Sequence, residues 1–200
     1  MNNMKNPQQI IGLTGQSGAG KSTVRRVFEQ NGFDVIDCDR AAKDAASKQA
    51  FLQEVALHFG KDILNEDGSL NRAKTASMIY GDKQKYEEYC GIIFPLITYD
   101  IMRKIEKSGK AVLLDAPTLF EAGIDILCSK IISVIADISL CAERISKRDN
   151  ITLETARQRL SSQHNAEFFK ENSDYIIENN GSESELFEKA IAVIDKMKGL

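Results

Sequence analysis

The chain has 200 residues and a formal net charge of −3 at pH 7. That length is typical of one ordinary domain with room for an inserted subdomain, and it is long enough to bury a real core. The mild acidity argues against a general nucleic-acid or membrane-surface binder, so any attraction for a polyphosphate must be local. No stretch approaches the ~20 apolar residues of a membrane span, and the polar segment 1–9 lacks the apolar region of a signal peptide.

The cysteines bear on the cellular compartment of the protein and not on catalysis. Four of them lie far apart, with no CxxC pair and no metal-type spacing: Cys38, Cys90, Cys128 and Cys141. This pattern favours reduced thiols in a cytoplasmic protein, and we assign them no catalytic role.

A phosphate-binding pattern, GxxxxGK[ST], occupies residues 15–22. It follows a short apolar run, 10–14, that predicts a buried strand, and Val24, Val27 and Phe28 recur after it at helical spacing. Strand, glycine loop and helix thus come in the order that points backbone N–H groups and a helix N-terminus at phosphate oxygens. The alternative is a glycine-rich turn without a ligand. The residues expected to bind nucleotide here are Gly15, Gly18, Ala19, Gly20, Lys21, Ser22 and Thr23.

Lys21 is expected to reach the β- and γ-phosphates of the nucleotide, and Ser22 to offer its hydroxyl to Mg²⁺. The loop therefore predicts a nucleoside triphosphate with Mg²⁺ as the nucleotide substrate and metal.

The rest of the chain alternates predicted strands and helices. Strands are predicted at 34–39, 111–115, 131–136 and 174–178, in addition to the first. Residues from about 40 to 107 are predicted to be helical almost throughout, with breaks at 65–69 and at Pro95. A capping box at Ser182 and Glu185 opens the last helix. Such alternation predicts a parallel sheet with helices on both faces.

Three aspartates lie at the ends of predicted strands, at the sheet edge where ligands bind in open parallel sheets. Asp37 and Asp39 come at the end of the second strand, and Asp115 ends the third. Carboxylates beside a Mg²⁺-bound triphosphate either hold metal water or accept the proton of an incoming hydroxyl. The structural alternatives are that Asp39 caps a helix and that Asp115 only precedes a proline turn.

A concentration of arginines flanks a predicted helix break at 149–152: Arg144, Arg148, Arg157 and Arg159. We interpret this segment as a helical lid that brings guanidinium groups to the transferring phosphate and excludes water. The alternative is a solvated helix face.

Motifs along the whole chain resemble the dephospho-CoA kinase family. Beyond the phosphate loop they lie at 35–42, 59–64, 67–72, 95–97, 113–121, 143–149, 159–163 and 175–181. The resemblance implies that residues 18–23 bind ATP, that Asp39 is the catalytic base, that Arg148 belongs to the lid, and that the helical block binds dephospho-CoA. Three positions depart from the usual family pattern: Gln16 for glycine, Thr75 for leucine, and Phe94 for histidine.

The predicted fold is therefore α/β, a three-layer P-loop NTPase fold with a five-stranded parallel sheet. Its parts are a core at about 8–39, 108–143 and 173–200, a helical acceptor-binding insertion at about 40–107, and a lid at about 144–165. Lys21, Asp39 and Arg148 are the expected catalytic residues, and Arg144 is added to the nucleotide site. Ser22 and, through water, Asp115 are the expected metal-binding residues.

The resemblance implies ATP-dependent phosphorylation of the ribose 3′-hydroxyl of dephospho-CoA, and we expect a cytoplasmic monomer without nucleic-acid or membrane partners. One alternative is a kinase of the same fold that acts on a nucleoside or nucleotide. The other is a non-catalytic ATP-binding regulator. A GTPase switch should carry a guanine-reading NKxD motif, and the sequence has none.

Overall fold

The computed structural model describes residues 8–79 and 81–198, so most of the polar N-terminal segment considered above lies outside the described residues. The chain divides into two compact units. The first combines the residues up to Ile36 with those from Ser108 onward, and the second is Asp37–Lys107.

The first unit is built on a five-stranded sheet in the order β2-β3-β1-β4-β5. The strands are β1 (Ile10–Gly15), β2 (Asp34–Asp37), β3 (Val112–Asp115), β4 (Lys130–Ile135) and β5 (Tyr175–Glu178). β1 pairs in parallel with both β3 and β4, with Leu13 opposite Asp115 and Gly15 opposite Val134. The carboxyl end of β1 therefore lies in the middle of the sheet edge, between the ends of two neighbours, and the predicted parallel α/β fold is confirmed.

The helices of the described residues follow in chain order: α1 (Lys21–Gln30), α2 (Cys38–Ala46), α3 (Gln49–Phe59), α4 (Arg72–Ile79), α5 (Lys83–Lys107), α6 (Ile138–Asp149), α7 (Leu153–Ser161), α8 (Ala166–Glu171) and α9 (Glu183–Lys198). The predicted helix break between α6 and α7 is confirmed. So is the cap of α9, where the Ser182 hydroxyl accepts a hydrogen bond from the Glu185 N–H over 3.2 Å.

The core of the first unit joins the sheet to α1 and α9. Val24 and Phe28 of α1 are buried, as are Leu186 and Ile194 of α9, and they belong to one apolar cluster with β-strand residues such as Leu13. Burial of such side chains stabilises the fold by about 1.5–3 kcal/mol each. The packing holds α1 against the sheet and so fixes where the loop between β1 and α1 lies.

The second unit is helical, as predicted, with α5 packed against α2, α3 and α4. The predicted break at Pro95 is wrong, because Pro95 lies inside the continuous helix α5. A proline removes one helical hydrogen bond and crowds the preceding turn. Here the cost is offset by a buried stripe every fourth residue, formed by Ile93, Ile97, Ile101 and Ile105. Burial of that face keeps the helix intact through the proline.

The second strand is shorter than predicted. β2 ends at Asp37, and Cys38 already begins α2, so Asp39 lies in a helix and not at the end of a strand. The cause is local, since the Asp37 carboxylate accepts a hydrogen bond from the Arg40 N–H over 2.9 Å. That is an N-cap contact, which starts the helix two residues early.

Candidate active site

The loop between β1 and α1 has the backbone shape that its glycines allow. Gly15, Gly18 and Gly20 have φ values of 139°, 77° and 103°. A Cβ at Gly15 would lie 2.1 Å from the Val134 carbonyl oxygen, and one at Gly20 would lie 2.5 Å from the side-chain nitrogen of Asn179. Both the positive φ and the close approach thus require glycine at these two positions.

The loop is fastened to β4 by Gln16, one of the residues that depart from the family pattern. The Gln16 N–H donates to the Val134 carbonyl over 3.1 Å, and its side-chain oxygen accepts from the Ala136 N–H over 3.1 Å. Only 7% of Gln16 is exposed. A buried amide with a satisfied oxygen is stabilising, so glutamine at this position supports the loop.

Two further side chains hold the carbonyl side of the loop. The buried Asn179, just after β5, donates to the Ala19 carbonyl over 2.7 Å. Arg144 of α6 donates to the Gly18 carbonyl over 3.3 Å and to the Asn179 carbonyl over 3.2 Å. With the carbonyls bound from outside, the loop conformation is fixed by groups far away in sequence.

The charges at the start of α1 converge on Asp115. Its carboxylate pairs with Lys21 through one oxygen and with Arg25 through the other, at 3.1 Å for Arg25. The Asp115 side chain is only 8% exposed, and the Lys21 side chain 18%. A carboxylate so little exposed is costly to bury without charged partners, and these two cations supply them.

A pocket of about 390 Å³ lies over the loop. Its lining includes most of residues 15–22, Asp115 at the end of β3, and Arg144 and Arg148 of α6. Lys21 lines it too, so three cations and one carboxylate face this space. That balance, beside a glycine loop at a helix N-terminus, suits a polyphosphate anion with an accompanying divalent cation.

Arg148 is held by its sequence neighbour. Its Nε and Nη2 donate to the two oxygens of Asp149 over 2.7 and 3.0 Å, and Arg159 of α7 donates to the second of these oxygens over 2.9 Å. The hydrogen bond from Arg148 lowers the pKa of the Asp149 carboxyl below its ordinary value, and Asp149 in turn raises the pKa of Arg148. The pair is therefore ionised throughout the neutral range.

The structure brings most of the predicted site residues together. The loop residues 15–22, Asp115, Arg144 and Arg148 share the first unit, and Thr23 lies in the first turn of α1 behind Ser22. Arg157 is exposed on α7. Asp37 and Asp39 belong to the second unit, where Asp37 caps α2 and Asp39 is exposed in its first turn. The roles expected of these two aspartates stay predictions.

The sequence alone assigns no role in the site to Arg25, Gln16 or Asn179. Arg25 follows Lys21 by four residues, so helical spacing alone could have put it on the same face. At Gln16 the sequence shows only a departure from the family pattern. Asn179 carries no local signal, because its partner Ala19 is 160 positions away.

A parallel sheet, a phosphate loop at the end of its central strand and a cationic pocket above that loop define a protein of the P-loop nucleotide-binding class. The dephospho-CoA kinase family model matches residues 9–185. The chain belongs to the dephospho-CoA kinase family.

Two named relatives agree with this assignment, and a solved structure shares the fold. The chain is 39% identical over 181 residues to a dephospho-CoA kinase of Fusobacterium nucleatum, covering 90% of this chain and 94% of the relative. It is 36% identical over 193 residues to a dephospho-CoA kinase of Listeria innocua, covering 94% and 96%. A crystal structure of a Thermus thermophilus protein superposes with a TM-score of 0.84 at 25% identity, covering 96% of this chain and 98% of that one.

Proposed function

We propose that the protein transfers the γ-phosphoryl group of ATP to the ribose 3′-hydroxyl of dephospho-CoA, giving CoA and ADP. The observation that carries this proposal is the cationic pocket over the phosphate loop, in a chain that matches the family model from residue 9 to residue 185. In the transfer, the acceptor oxygen forms a bond to the γ-phosphorus while the bond to the β-phosphate oxygen breaks. ADP leaves with that electron pair, and the hydroxyl proton passes to a base.

The residues of the loop fit ATP and Mg²⁺. Lys21 would exchange its contact with Asp115 for the β- and γ-phosphates, and Ser22, exposed in the first turn of α1, would ligate the metal. One oxygen of Asp115 would then be available to hold metal-bound water, while the other stays paired with Arg25. Mg²⁺ itself supplies charge neutralisation of the phosphates.

Asp39 is the proposed base. This rests on the family resemblance of the 35–42 segment and on the exposure of Asp39 in the first turn of α2. When a carboxylate accepts the hydroxyl proton of the acceptor, the hydroxyl oxygen of the acceptor becomes a better nucleophile in the transition state. We propose that the helical unit from about residue 40 to residue 107 binds the acceptor. Phe94 on α5, 36% exposed, offers an apolar surface where the family usually has histidine.

Arg148 is the proposed lid cation. Its guanidinium lines the pocket and would stabilise charge on the transferring phosphoryl group as the segment from about 144 to 165 closes.

We further propose that the protein works as a monomer in the cytoplasm. We interpret Cys38, Cys90, Cys128 and Cys141, which lie far apart in the sequence without a CxxC pair, as reduced thiols of that compartment. Among the described residues, no helix combines the length and apolar character needed to cross a bilayer.

The proposed reaction is tested by ADP production from Mg²⁺-ATP with dephospho-CoA, adenosine, nucleoside monophosphates, pantetheine or no acceptor. We expect turnover with dephospho-CoA well above every other condition, and a product phosphorylated at the 3′ position by mass spectrometry and ³¹P NMR. A preference for adenosine or a nucleotide would favour the alternative kinase. ATP binding without acceptor-dependent ADP release would favour the regulator. Lys21→Ala serves as the control for contaminating activity.

A further inference from the structure

A chain of polar contacts runs from the phosphate loop to Arg148 by way of α7. Just past α7, the Gln163 side-chain oxygen accepts from the Ser17 N–H over 3.2 Å, and its nitrogen donates to the Ser17 hydroxyl over 2.9 Å. Within the last turn of α7, Arg159 binds Asp149, which binds Arg148 through both oxygens. The two ends of this chain, Ser17 and Arg148, both line the pocket.

These contacts are not what holds α7 in the fold. The helix buries Ala156 and Leu160 in the core of the first unit, with 0% and 5% exposed. Gln163 is exposed, and the side chains of Arg148 and Arg159 are 64% and 53% exposed. Ion pairs and hydrogen bonds in contact with water add little net stability, because solvent screens them and ordering long side chains costs entropy. Their effect should therefore fall on geometry at the pocket.

We propose that Gln163 is a positioning residue for phosphoryl transfer. Gln163 ties α7 to the phosphate loop and thereby fixes the guanidinium of Arg148 relative to the bound phosphates. Arg159 and Asp149 transmit the constraint from α7 to Arg148. The inference rests on the proposed phosphoryl transfer, in which Arg148 acts on the transferring group. A charge that stabilises a transition state must be placed closely, and a displacement of about 1 Å can cost about a hundred-fold in rate.

A contrasting possibility concerns the Ser17 N–H, which belongs to the loop that receives the phosphates. If Gln163 merely occupied that N–H and had to leave before ATP could bind, removing its amide would tighten ATP binding. The two roles therefore predict different results when the Gln163 amide is removed. If Gln163 positions Arg148, kcat falls and ATP affinity is unchanged. If Gln163 only occupies the Ser17 N–H, ATP affinity rises.

The first test compares Gln163→Met, which keeps the side-chain length without the amide, with Gln158→Met. Gln158 is exposed on α7 and its side chain makes no hydrogen bond among the described residues, so it is a matched control. For Gln163→Met we expect kcat about 10- to 100-fold lower, with Mg²⁺-ATP Kd and both KM values within about two-fold of wild type. The Tm of both variants should equal that of the wild type, and Gln158→Met should also keep wild-type kcat.

The second test asks whether Gln163 acts through Arg148. In the Arg148→Ala background, Gln163→Met should lower kcat by less than about two-fold further, since the group that it positions is already gone. Asp149→Asn keeps the side-chain shape but breaks the charge pairing, so it should reproduce the kcat loss of Gln163→Met. In the Arg148→Ala background, Asp149→Asn should likewise add little further loss.

Three results would overturn the inference: multiplicative losses in the double variant, tighter ATP binding by Gln163→Met, or a lowered Tm with unchanged kcat. Failure of the proposed function looks different. If the wild-type protein does not use dephospho-CoA but turns over another acceptor of the panel, the assignment of substrate is wrong. The ratios between variants, measured with that acceptor, still decide the role of Gln163.

Discussion

Asn179 donates its side-chain N–H to the carbonyl of Ala19 across 160 positions of sequence, over 2.7 Å and away from solvent. Ala19 lies within the phosphate loop, whereas Asn179 directly follows β5. The same asparagine accepts through its backbone carbonyl from Arg144. One residue near the C-terminus thus joins the loop to α6, and the loop conformation depends on the far end of the chain.

Asn179→Ala should loosen the loop. The substitution leaves the Ala19 carbonyl without its side-chain donor, and an unpaired buried polar group costs about 1–3 kcal/mol. For a domain of this size that corresponds to a Tm lower by about 2–4 °C per kcal/mol. We also expect a several-fold higher KM for ATP, because loop N–H groups are no longer held in place, as measured by steady-state kinetics and thermal melting.

Asn180→Ala is the matched control. Asn180 is exposed and its hydrogen bonds go to Asp137 at the start of α6, not to the loop. Asn180→Ala should lower Tm less than Asn179→Ala does and leave the KM for ATP unchanged. Equal effects of the two substitutions on KM would show that the loop does not depend on Asn179.

Lys21→Ala should abolish most turnover without unfolding the protein. The lost charge acts on the transferring phosphate, so kcat should fall by about a thousand-fold. Asp115 keeps its contact with Arg25 when Lys21 is truncated, which limits the loss of stability. Rapid-quench measurement of ADP formation, with circular dichroism as the folding check, distinguishes the two effects. Near-normal turnover in a folded variant would contradict the role assigned to the loop.

The sequence was sufficient for features set by local pattern. The phosphate loop and its flanking strand and helix follow from glycine spacing and apolar periodicity, as does the break between α6 and α7. Errors arose where a local rule met a competing interaction. The buried isoleucine stripe of α5 outweighs the helix-breaking tendency of Pro95, and the Asp37 cap turns the predicted end of β2 into the first turn of α2.

Contacts between distant segments could not be predicted from one sequence. Asn179 with Ala19 and Gln163 with Ser17 each join the N-terminal loop to residues more than a hundred positions later. Asparagine and glutamine have no periodicity or charge that reveals such a partner. Only the folded sheet, which places the end of β5 and the α6–α7 region beside the loop, brings these groups together.

Asp115→Asn should raise the Mg²⁺ requirement. The substitution keeps the side-chain size but removes the charge that is proposed to hold metal-bound water. We expect a higher Mg²⁺ concentration for half-maximal activity, together with a lower Tm, because Lys21 and Arg25 lose their shared carboxylate. Asp125→Asn, in the 3-10 helix between β3 and β4, is the control. An unchanged Mg²⁺ dependence in the Asp115 variant would remove this residue from the metal site.

Cys128 should resist thiol reagents in the native protein. Burial raises the pKa of its thiol to about 12, and the nearby Asp125 adds to the shift. The thiolate is the reactive form, so at pH 8 only about one molecule in 10⁴ carries it. Native labelling with an aromatic disulfide reagent at pH 8, followed by peptide mass spectrometry, should leave Cys128 unmodified, whereas labelling in denaturant should modify all four cysteines. Rapid native modification of Cys128 would contradict the burial that raises its pKa.

Asp37 and Asp39 should fail in different ways when they are changed. Asp37 caps α2, and asparagine is an equally good cap, so Asp37→Asn should keep Tm and most of the rate. Asp37→Ala removes the cap and should cost about 1 kcal/mol of stability. Asp39 makes its proposed contribution as a base, and Asp39→Asn removes the basic site while keeping the side-chain size. Single-turnover transfer should therefore collapse although Mg²⁺-ATP still binds.

The Mg²⁺ dependence of the same variants separates a base from a group that holds metal water. If Asp39 accepts the proton of the 3′-hydroxyl, no concentration of Mg²⁺ restores transfer in Asp39→Asn, because the metal cannot take that proton. If Asp39 instead supports the metal, its replacement should weaken ATP binding, and raised Mg²⁺ should recover part of the rate. ATP titrations and single-turnover rates for Asp39→Asn and Asp37→Asn across a Mg²⁺ series measure both quantities. We expect an Asp39→Asn rate that stays flat with Mg²⁺, and recovery by metal would count against the base.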